Sequence, residues 1–567
     1  MKHMKKLLSL LLVLCLVLSL SCTAFAAEAA KPLDGKTVIL HSNDVHGAID
    51  LYAAMAAMKA DYEAQGAEVI LADAGDYSQG TVYVSVNKGA DAVTMMNATG
   101  YDVVTLGNHE FDYGYAQLVE NMKAAKFKVL CADVLGADGK TIFDANTIIE
   151  KGGVKIGFFG LDTPEAQTKA NPKLIQGLKF LAGADGKELY DCAAAQVADL
   201  KKQGADIVVC LAHLGVDESS EPYTSYDLAK NVQGIDFIID GHSHTVMANK
   251  QVTDASGKAV TLTQTGSYFK NIGKMTVGAD GTITTELINT YEGLDAAVAA
   301  TASNWISAVD DMLGEKIAVG DSDFYVSDPA TGKRRIRSAE TNLGDFVADG
   351  IYTYFNEVEK LHCDVAIMNG GGIRADVPAG DWTFKTCKQV SPFGNVACLM
   401  SVTGKQIQDA LEFGARFVGP EGKENGGFLQ VAGATYEIHT DIPNTVQTDE
   451  KNVWIGSATG TPRVQNVKIY DKASGSYLPL DPGATYALAG MNYTLRNLGD
   501  GFAMFDGAEL IKDYVSEDYL VMSTYAMFFD AVNDMPVLSS ANSPLASYPG
   551  YLLNYENPYG AGRIQVV

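Results

Sequence analysis

The sequence predicts an α/β fold in which a layered N-terminal α/β domain is joined by a helix to a C-terminal α+β domain. Up to about residue 290, short runs rich in β-branched residues alternate with helix-like stretches. A long helical stretch follows near residues 293–316, and beyond about residue 318 strands, helices and glycine-rich loops are mixed. A chain of 567 residues is also too long for one core, because single cores stop growing near about 250–300 residues.

The strand predictions rest on apolar runs of strand length. In chain order these are KTVIL, AEVILA, YDVVTL, KVLCADV, KIGFFGLD, DIVVCLA and IDFIID. Two helix-like stretches, YAAMAAMKADYEAQG and LYDCAAAQVADLKKQG, each end in glycine, a common helix terminator. Strands that alternate with helices form a mainly buried sheet covered by helices. We therefore predict one domain at residues 33–292, a linker helix at 293–317 and a second domain at 318–567.

The first residues have the pattern of a secretory signal peptide. A basic start precedes an apolar run from Leu7 to Leu20 and an A-x-A pattern that ends at Ala26. An uncleaved anchor is the alternative, but the run is shorter than the ~18–20 residues that span a bilayer. Cys22 introduces lipoprotein processing as a further alternative, although the residues before it match a lipobox poorly. We predict a signal peptide at residues 1–26, no transmembrane segment in the mature chain, and a secreted or extracytoplasmic protein.

Charge and cysteine usage narrow the class of protein. A net charge of −26 at pH 7 repels nucleic-acid backbones and excludes a general polynucleotide binder. A small anionic substrate then needs local positive charge from metal ions or arginines. The mature chain has no C-x-x-C motif, and Cys131 and Cys210 lie in strand-like runs, where buried free thiols are expected. The sequence leaves four other cysteines unassigned: Cys192, Cys363, Cys387 and Cys398.

Potential metal ligands follow the ends of five predicted strands. They are Asp44 and His46 after the first, Asp76 after the second, Asn108 after the third, His213 after the sixth, and His242 and His244 after the seventh. The carboxyl ends of strands in an α/β sheet converge on the edge where ligands bind. Each motif alone is more often a surface loop or a packed histidine, and we interpret His41, His362 and His439 in that way. Their coincidence at five strand ends predicts a metal site.

The residue types suit two divalent ions. Such ions lie about 3.5–4 Å apart and need a bridging carboxylate, nitrogen and oxygen donors, and open positions for water and phosphate. We expect Asp76 to bridge them. The other ligands divide into two sets: Asp44, His46 and His244 on one ion, and Asn108, His213 and His242 on the other. His109 is then free for catalysis, and the mixed ligands favour Zn²⁺, Mn²⁺ or Co²⁺.

The order D-x-H, GD, GNHE, H and GHxH resembles that of the calcineurin-like metallophosphoesterases. The stretch GNHEFDYG resembles the 5′-nucleotidase branch of that family, and the C-terminal part is similar to the nucleotide-binding domain of the same branch. The resemblance covers almost the entire mature chain. It implies a catalytic dyad in which His109 stabilises charge on the phosphoryl group and the leaving oxygen, while Asp112 orients the imidazole and favours its protonated form.

Arginines in the second half suggest an anion site. Arg337 in RIRSAETNLGDF and Arg374 in NGGGIR can offer planar donor forks, with two surface salt bridges as the alternative. The resemblance implies a set of substrate-binding residues: Arg337, Asn369, Arg374, Phe393, Asn395, Tyr493 and Asp500. By that resemblance, Phe393 and Tyr493 sandwich a nucleobase and Asp500 accepts hydrogen bonds from the ribose hydroxyls. The alternative for both aromatic rings is packing in a hydrophobic core. The spacing from Tyr493 to Asp500 is one residue longer than is usual in the family.

These features predict an exported two-metal hydrolase that releases phosphate from nucleoside 5′-monophosphates. A 2′,3′-cyclic-nucleotide phosphodiesterase or a nucleotide-sugar hydrolase is the alternative within the family; Asp112 favours the 5′-nucleotidase, because the cyclic branch commonly has asparagine there. An extracellular nucleotide-binding or adhesion protein is the alternative of another class, but seven ligands and a dyad argue against it. The sequence leaves the base, the metal and the oligomeric state open.

Overall fold

A computed structural model describes residues 31–278, 281–419, 423–513 and 515–567. The predicted signal peptide and Cys22 lie outside the described residues. Within the part of the chain that the structure describes, no helix combines the length and the apolar character needed to cross a membrane.

The strands of the first half follow the predicted order and form two six-stranded sheets and a two-stranded sheet of β5 and β8. They are β1 Thr37–Ser42, β2 Glu68–Asp73, β3 Val103–Thr105, β4 Lys128–Leu130, β5 Val134–Leu135, β6 Asn146–Lys151, β7 Val154–Asp162, β8 Lys179–Phe180, β9 Ile207–His213, β10 Phe237–Asp240, β11 Val246–Thr253, β12 Ala259–Thr265, β13 Ile272–Val277 and β14 Ile283–Ile288. The sheet orders are β14-β13-β1-β2-β3-β4 and β11-β12-β10-β9-β7-β6. In the first sheet, the neighbouring strands β1, β2, β3 and β4 pair in parallel. In the second sheet, the neighbouring strands β7, β9, β10 and β12 do so.

Helices cover the outer faces of both sheets. They are α1 Tyr52–Ala64, α2 Val82–Ser85, α3 Ala90–Thr99, α4 Tyr115–Met122, α5 Ala166–Lys169, α6 Lys187–Lys202 and α7 Ser225–Asn231. In β1, Val38 and Leu40 pack toward α1 and α3, whereas Ile39 between them packs against the second sheet. Because both faces are buried, such strands appear in the sequence as continuous apolar runs. The four layers confirm the predicted layered α/β fold.

The predicted linker helix is α8, Ala296–Leu313. Its first turn is capped by the Asp295 carboxylate, which accepts hydrogen bonds from two backbone N–H groups of that turn. Val298 packs in the core of the first half. Near the other end, Asp310 accepts a hydrogen bond of 2.6 Å from Lys385 of the second half. The helix therefore contacts both halves of the chain.

The second half mixes sheets and helices, as an α+β arrangement requires. Its strands are β15 Lys316–Gly320, β16 Val365–Asn369, β17 Gly380–Thr383, β18 Ala397–Thr403, β19 Leu429–Ala432, β20 Ala434–Ile438, β21 Gln447–Thr448, β22 Trp454–Gly456, β23 Val464–Asp471, β24 Ser476–Pro479, β25 Thr485–Met491, β26 Glu509–Lys512, β27 Ala531–Val532, β28 Met535–Leu538 and β29 Ile564–Val566. Its helices are α9 Asn342–Thr353, α10 Phe384–Val390, α11 Gly404–Gly414, α12 Asn492–Leu495 and α13 Asp518–Met527. The largest sheet has the order β19-β16-β25-β18-β26. Among the described residues, no strand of one half pairs with a strand of the other. Two domains at residues 33–292 and 318–567 remain our proposal.

The six cysteines of the described chain are all free thiols. Cys131 and Cys210 are buried, in agreement with the prediction. Three of the thiols that the sequence left open are also buried, Cys363, Cys387 and Cys398, and Cys192 is partly exposed.

Candidate active site

The structure brings predicted metal ligands from separate loops together. Asp44 Oδ1 lies 3.4 Å from Nε2 of His244 and 3.9 Å from Nε2 of His46. Asp76 Oδ2 lies 3.1 Å from Nε2 of His213 and 3.9 Å from Nε2 of His46. Asp76 therefore lies between His46 and His213, the position that a bridging carboxylate needs.

Compact groups of donor atoms are present at this edge of the two sheets. Three groups have all their donor atoms within 4.8 Å of one another: Asp44 with His46 and His244, Asp44 with Asp76 and His213, and His46 with Asp76 and His109. The first matches the ligand set expected for one ion. The second shows that Asp44, like Asp76, approaches both sets of histidines. The third places His109 close enough to ligate an ion as well.

Asn108 and His242 form a pair beside these groups. Nδ1 of His242 lies 2.8 Å from Oδ1 of Asn108. The backbone N–H of His242 points at the Asp44 carboxylate, 3.1 Å from each oxygen. The two remaining predicted ligands thus adjoin the centre. The three histidines that we interpreted as structural lie elsewhere: His41 inside β1, His362 paired with Asp364, and His439 paired with Glu437.

The histidine tautomers fit a metal centre. Nδ1 of His46 donates to the Gln79 carbonyl at 2.9 Å, and Nδ1 of His213 donates to the Ala74 carbonyl at 2.7 Å. A carbonyl only accepts, so each Nδ1 carries a proton, and each Nε2 has a lone pair when the ring is neutral. Nε2 of His213 is buried and lies 3.1 Å from Asp76 Oδ2, and Nε2 of His46 faces Nε2 of His244 at 3.0 Å. Metal-ligating histidines are oriented in this way by a bond from the other ring nitrogen.

Five of the predicted ligands have a backbone conformation that is uncommon outside glycine. Their φ angles are 49° at Asp44, 47° at His46, 63° at Asp76, 74° at His242 and 54° at His244. Each such residue costs of order 1–3 kcal/mol and persists only where the surroundings enforce it. The surrounding structure therefore stabilises the ligand loops in conformations that they would not otherwise prefer.

Glu110 braces one of these loops. Its carboxylate accepts hydrogen bonds from the backbone N–H groups of Asp76, Tyr77, Ser78 and Gly107, at 2.7–3.0 Å. It thereby fixes the turn after β2 to the turn after β3. This role was not predicted from the sequence, although the acid directly after Asn-His in GNHE was a signal for it.

The charges at the centre suit cation binding. Burial alone raises the pKa of Asp76, but the neighbouring His213 and His109 bring the pKa well below its ordinary value. Burial also raises the pKa of Asp44, and His244 and His213 outweigh it. Burial, with His244 nearby, lowers the pKa of His46 to about 3. Ionised carboxylates and a neutral imidazole are the forms that bind metals.

His109 and Asp112 form a close pair at the 3₁₀ turn that follows β3. Nδ1 of His109 lies 2.5 Å from Oδ2 of Asp112, and the backbone N–H of His109 donates to Asp76 Oδ1 at 2.9 Å. Burial lowers the pKa of His109, but Asp112 and Asp76 raise it to a net value above the ordinary one. The pair therefore favours an imidazolium next to the candidate metal ligands.

A cavity of about 700 Å³ joins this centre to the second half. All seven predicted substrate-binding residues line it: Arg337, Asn369, Arg374, Phe393, Asn395, Tyr493 and Asp500. The dyad and four predicted ligands line the opposite wall: Asp76, Asn108, His242 and His244. The other three ligands, Asp44, His46 and His213, are fully buried behind that wall. One cleft therefore contains the groups that the sequence assigned to two separate halves.

Cations line the part of the cavity formed by the second half. Burial, with Arg334 and Arg374 nearby, lowers the pKa of Arg337 well below its usual range, and Nε of Arg337 is buried without a hydrogen-bond partner among the described residues. Arg374 lies 5.6 Å from the Phe393 ring centre. Within the described chain neither Arg337 nor Arg374 forms an ion pair, whereas Arg334 pairs with Glu424 at 2.7 Å. The sequence analysis did not single out Arg416, which also lines the cavity and lies 3.8 Å from the Phe413 ring centre.

Tyr493 and Asp500 are connected in spite of the unusual spacing between them. Leu498 and Asp500 have φ angles of 62° and 55°, so the segment folds back and the Asp500 N–H bonds Tyr493 Oη at 3.1 Å. The Tyr493 ring packs on Gly499, where a Cβ would lie 2.4 Å from it. The Tyr493 hydroxyl also lies 3.0 Å from the carbonyl oxygen of Lys169 in the first half. One edge of the ring is thus already occupied by protein.

Known proteins are similar to both halves. Residues 319–507 match the family described as 5′-nucleotidase, C-terminal domain, and residues 43–258 match the family described as bacterial capsule synthesis protein PGA_cap. The trifunctional nucleotide phosphoesterase protein YfkN of Bacillus subtilis is 28% identical over 542 residues, which is 87% of this chain and 34% of that protein. The chain thus spans about a third of the length of that relative. Human 5′-nucleotidase is 27% identical over 561 residues, 90% of this chain and 91% of that protein.

A solved structure agrees with this similarity. The crystal structure of a 5′-nucleotidase precursor from Thermus thermophilus superposes with a TM-score of 0.74 at 26% identity. The superposition covers 94% of this chain and 99% of that one. The similarity therefore extends over both halves and the helix that connects them.

Proposed function

The chain belongs to the 5′-nucleotidase family, with a calcineurin-like phosphoesterase domain, and on that premise we propose that it is an exported two-metal hydrolase acting on nucleoside 5′-monophosphates. The family resemblance, the mixed α/β fold and a metal-dependent phosphoesterase activity, all predicted from the sequence, are confirmed. The nucleotide preference, the number and identity of the ions and the export are our proposal.

One observation supports the proposal most strongly. The dyad, four of the seven predicted ligands and every predicted substrate-binding residue line a single cavity of about 700 Å³. Ligand sites for small molecules commonly have about 300–1,000 Å³, so a nucleotide fits this volume. A monophosphate ester bound there would meet the ligand loops with its phosphate and the second half with its nucleoside.

The donor set supports two ions. We propose Asp44, His46 and His244 on one ion, Asn108, His213 and His242 on the other, and Asp76 on both, with Zn²⁺, Mn²⁺ or Co²⁺ as the ions. When bound, two divalent ions supply Lewis acids for the phosphoryl oxygens and an activated water.

The remaining chemistry belongs to side chains of this chain. The Asp112 carboxylate accepts a hydrogen bond from His109 Nδ1 and holds the ring in place. Protonated His109 then stabilises negative charge on the phosphoryl group and donates toward the leaving oxygen. Arg337 and Arg374 neutralise the bound anion, and contacts to the base and ribose hold phosphorus in line for attack.

A nucleotide-sugar hydrolase is the second candidate within the family. Arg416 lines the cavity in addition to Arg337 and Arg374, so more arginines are present than one phosphate needs. Asp112 favours the monophosphate over the third candidate, a 2′,3′-cyclic-nucleotide phosphodiesterase.

Hydrolysis of AMP, UDP-glucose and 2′,3′-cyclic AMP, each assayed with and without EDTA by chromatography of the nucleotide and phosphate products, distinguishes these functions. We expect AMP to be the best substrate and EDTA to abolish its hydrolysis. Faster turnover of UDP-glucose or of 2′,3′-cyclic AMP would contradict the proposed specificity for nucleoside 5′-monophosphates.

Export has its own test. Expression of the whole chain, followed by mass spectrometry of the protein outside the cytoplasm, should give a mature N-terminus directly after Ala26. Retention of the full-length chain inside the cells would contradict export.

A further inference from the structure

Glu165 contacts the ring of one predicted metal ligand from outside the ligand set. Its Oε2 lies 3.0 Å from Nε2 of His242, while Nδ1 of the same ring lies 2.8 Å from Oδ1 of Asn108. The side chains of Glu165 and His242 are 19% and 16% exposed, and both line the cavity. Each ring nitrogen of His242 therefore has its own side-chain neighbour, Glu165 at Nε2 and Asn108 at Nδ1.

The two contacts determine the tautomer of His242. A neutral imidazole has one N–H, and a carboxylate accepts that proton more strongly than an amide oxygen does. Glu165 therefore holds the proton on Nε2 and leaves a lone pair on Nδ1. Two ligand atoms about 2.1 Å from one ion, at about a right angle, lie about 3 Å apart. The separation of Nδ1 and the Asn108 oxygen matches that value.

His242 differs in this respect from two other predicted ligands. Backbone carbonyls, of Gln79 and Ala74, hold the rings of His46 and His213. His242 is instead held by a side chain, which can be substituted without disturbing a strand or turn. Three further acids of the first half line the cavity and belong neither to the predicted ligands nor to the dyad: Asp217, Glu218 and Glu221. Within the described chain, none of the three has a hydrogen bond to a ligand ring, whereas Glu165 has one.

The backbone around Glu165 is held by local hydrogen bonds. Its N–H donates to Oγ1 of Thr163 at 3.3 Å, and its carbonyl accepts from the N–H of Lys169 at 2.9 Å, which closes the single turn of α5. The end of that turn contacts Tyr493 of the second half. The backbone that carries the Glu165 side chain is therefore held relative to both walls of the cleft.

We propose that Glu165 is a positioning residue that holds His242 in the tautomer and orientation needed to ligate an ion through Nδ1. This inference rests on the proposed two-metal site. Partners of this kind typically change metal affinity about 10–100-fold when they are removed. Glu165 acts through His242 and makes no bond to the ion itself.

Metal binding to the purified full-length mature protein tests this role. The wild type, Glu165→Ala and Glu165→Gln are stripped with EDTA, titrated with Mn²⁺ by calorimetry, and checked for bound metal by elemental analysis. Glu165→Ala should weaken one of two Mn²⁺ sites about 10–100-fold. Glu165→Gln keeps an acceptor oxygen in place and should lose less. Glu221→Gln, an exposed acid on the same wall, is the matched control and should bind both ions as the wild type does.

The outcomes separate the two levels of the proposal. If Glu165→Ala binds both ions with wild-type affinity, the positioning role is wrong. If the wild type itself binds fewer than two ions, the two-metal function fails. Thermal unfolding of the metal-free proteins checks the fold, and the isosteric Glu165→Gln keeps the comparison decisive if the alanine variant is unstable.

Discussion

Nζ of Lys169, in the first half, lies 3.4 Å from the carboxylate of Asp500, in the second half. The other oxygen of that carboxylate accepts a hydrogen bond from Asn369 at 3.1 Å. Asp500 is the residue expected to bind ribose, so a residue of the half that carries the metal ligands already contacts the nucleoside site. The cleft is therefore formed jointly, and nucleotide binding should depend on both halves.

Lys169→Ala should raise KM for AMP by up to about 5-fold, because a partly exposed ion pair is worth at most about 1 kcal/mol. Hydrolysis of bis-p-nitrophenyl phosphate should change less than about 2-fold, because this substrate has no ribose to contact Asp500. Steady-state kinetics on both substrates measure the difference, with the exposed Lys173→Ala as control. Equal effects on the two substrates would show that Lys169 does not act through the nucleoside site.

Phe393→Ala should weaken the binding of AMP by about 1–3 kcal/mol if a base stacks on this ring. The ring centre lies 6.1 Å from that of His109, so the variant also tests whether Phe393 merely packs against the dyad. The ratio of kcat/KM for AMP to that for bis-p-nitrophenyl phosphate is the measurement. A fall of the same size in kcat/KM for both substrates would show that the Phe393 ring packs against the dyad and does not bind the base.

His109→Ala should lower kcat about 10²–10⁴-fold while two metal equivalents remain, because its proposed role is charge stabilisation in the transition state. Elemental analysis next to kinetics is decisive here, since His109 also belongs to a compact donor group with His46 and Asp76. Loss of one equivalent would make His109 a ligand instead.

Asp518 gives a pH-dependent prediction for stability. Its buried carboxylate accepts from the backbone N–H of Asn395 at 3.1 Å, and burial raises its pKa to about 7, above the unfolded value of about 3.9. The folded state then binds the proton more tightly, so this contribution is fully present below about pH 4 and is lost as pH rises to about 7.

Asp518→Asn removes the titration, so its Tm relative to the wild type should increase between about pH 4 and about pH 7. The change in unfolding free energy should be at most about 4 kcal/mol, at about 1.4 kcal/mol per pKa unit. Calorimetry across this pH range, with the exposed Asp530→Asn as control, measures it. A difference in Tm that stays constant with pH would contradict the raised pKa.

The ligand loops could be predicted because strand ends in an α/β sheet share one edge, so Asp44, Asp76 and His213 converge whatever the loop details. The contacts of Glu165 and Lys169 could not be predicted, because they depend on how α5 packs against the second half. The hydrogen bond from Asp500 to Tyr493 needed two left-handed residues that no sequence pattern announced. The convergence of the predicted ligands was thus readable from the sequence, whereas contacts across the cleft required the structure.

Titration of the metal-free protein with Mn²⁺ while phosphate release from AMP is recorded tests the two-metal account most directly. We predict no turnover without metal and full activity at two equivalents. Asp76→Asn, which weakens the proposed bridge, should be the most damaging ligand change and should lower affinity at both sites. Full activity of a preparation shown by elemental analysis to be metal-free, or saturation at one equivalent, would contradict the account.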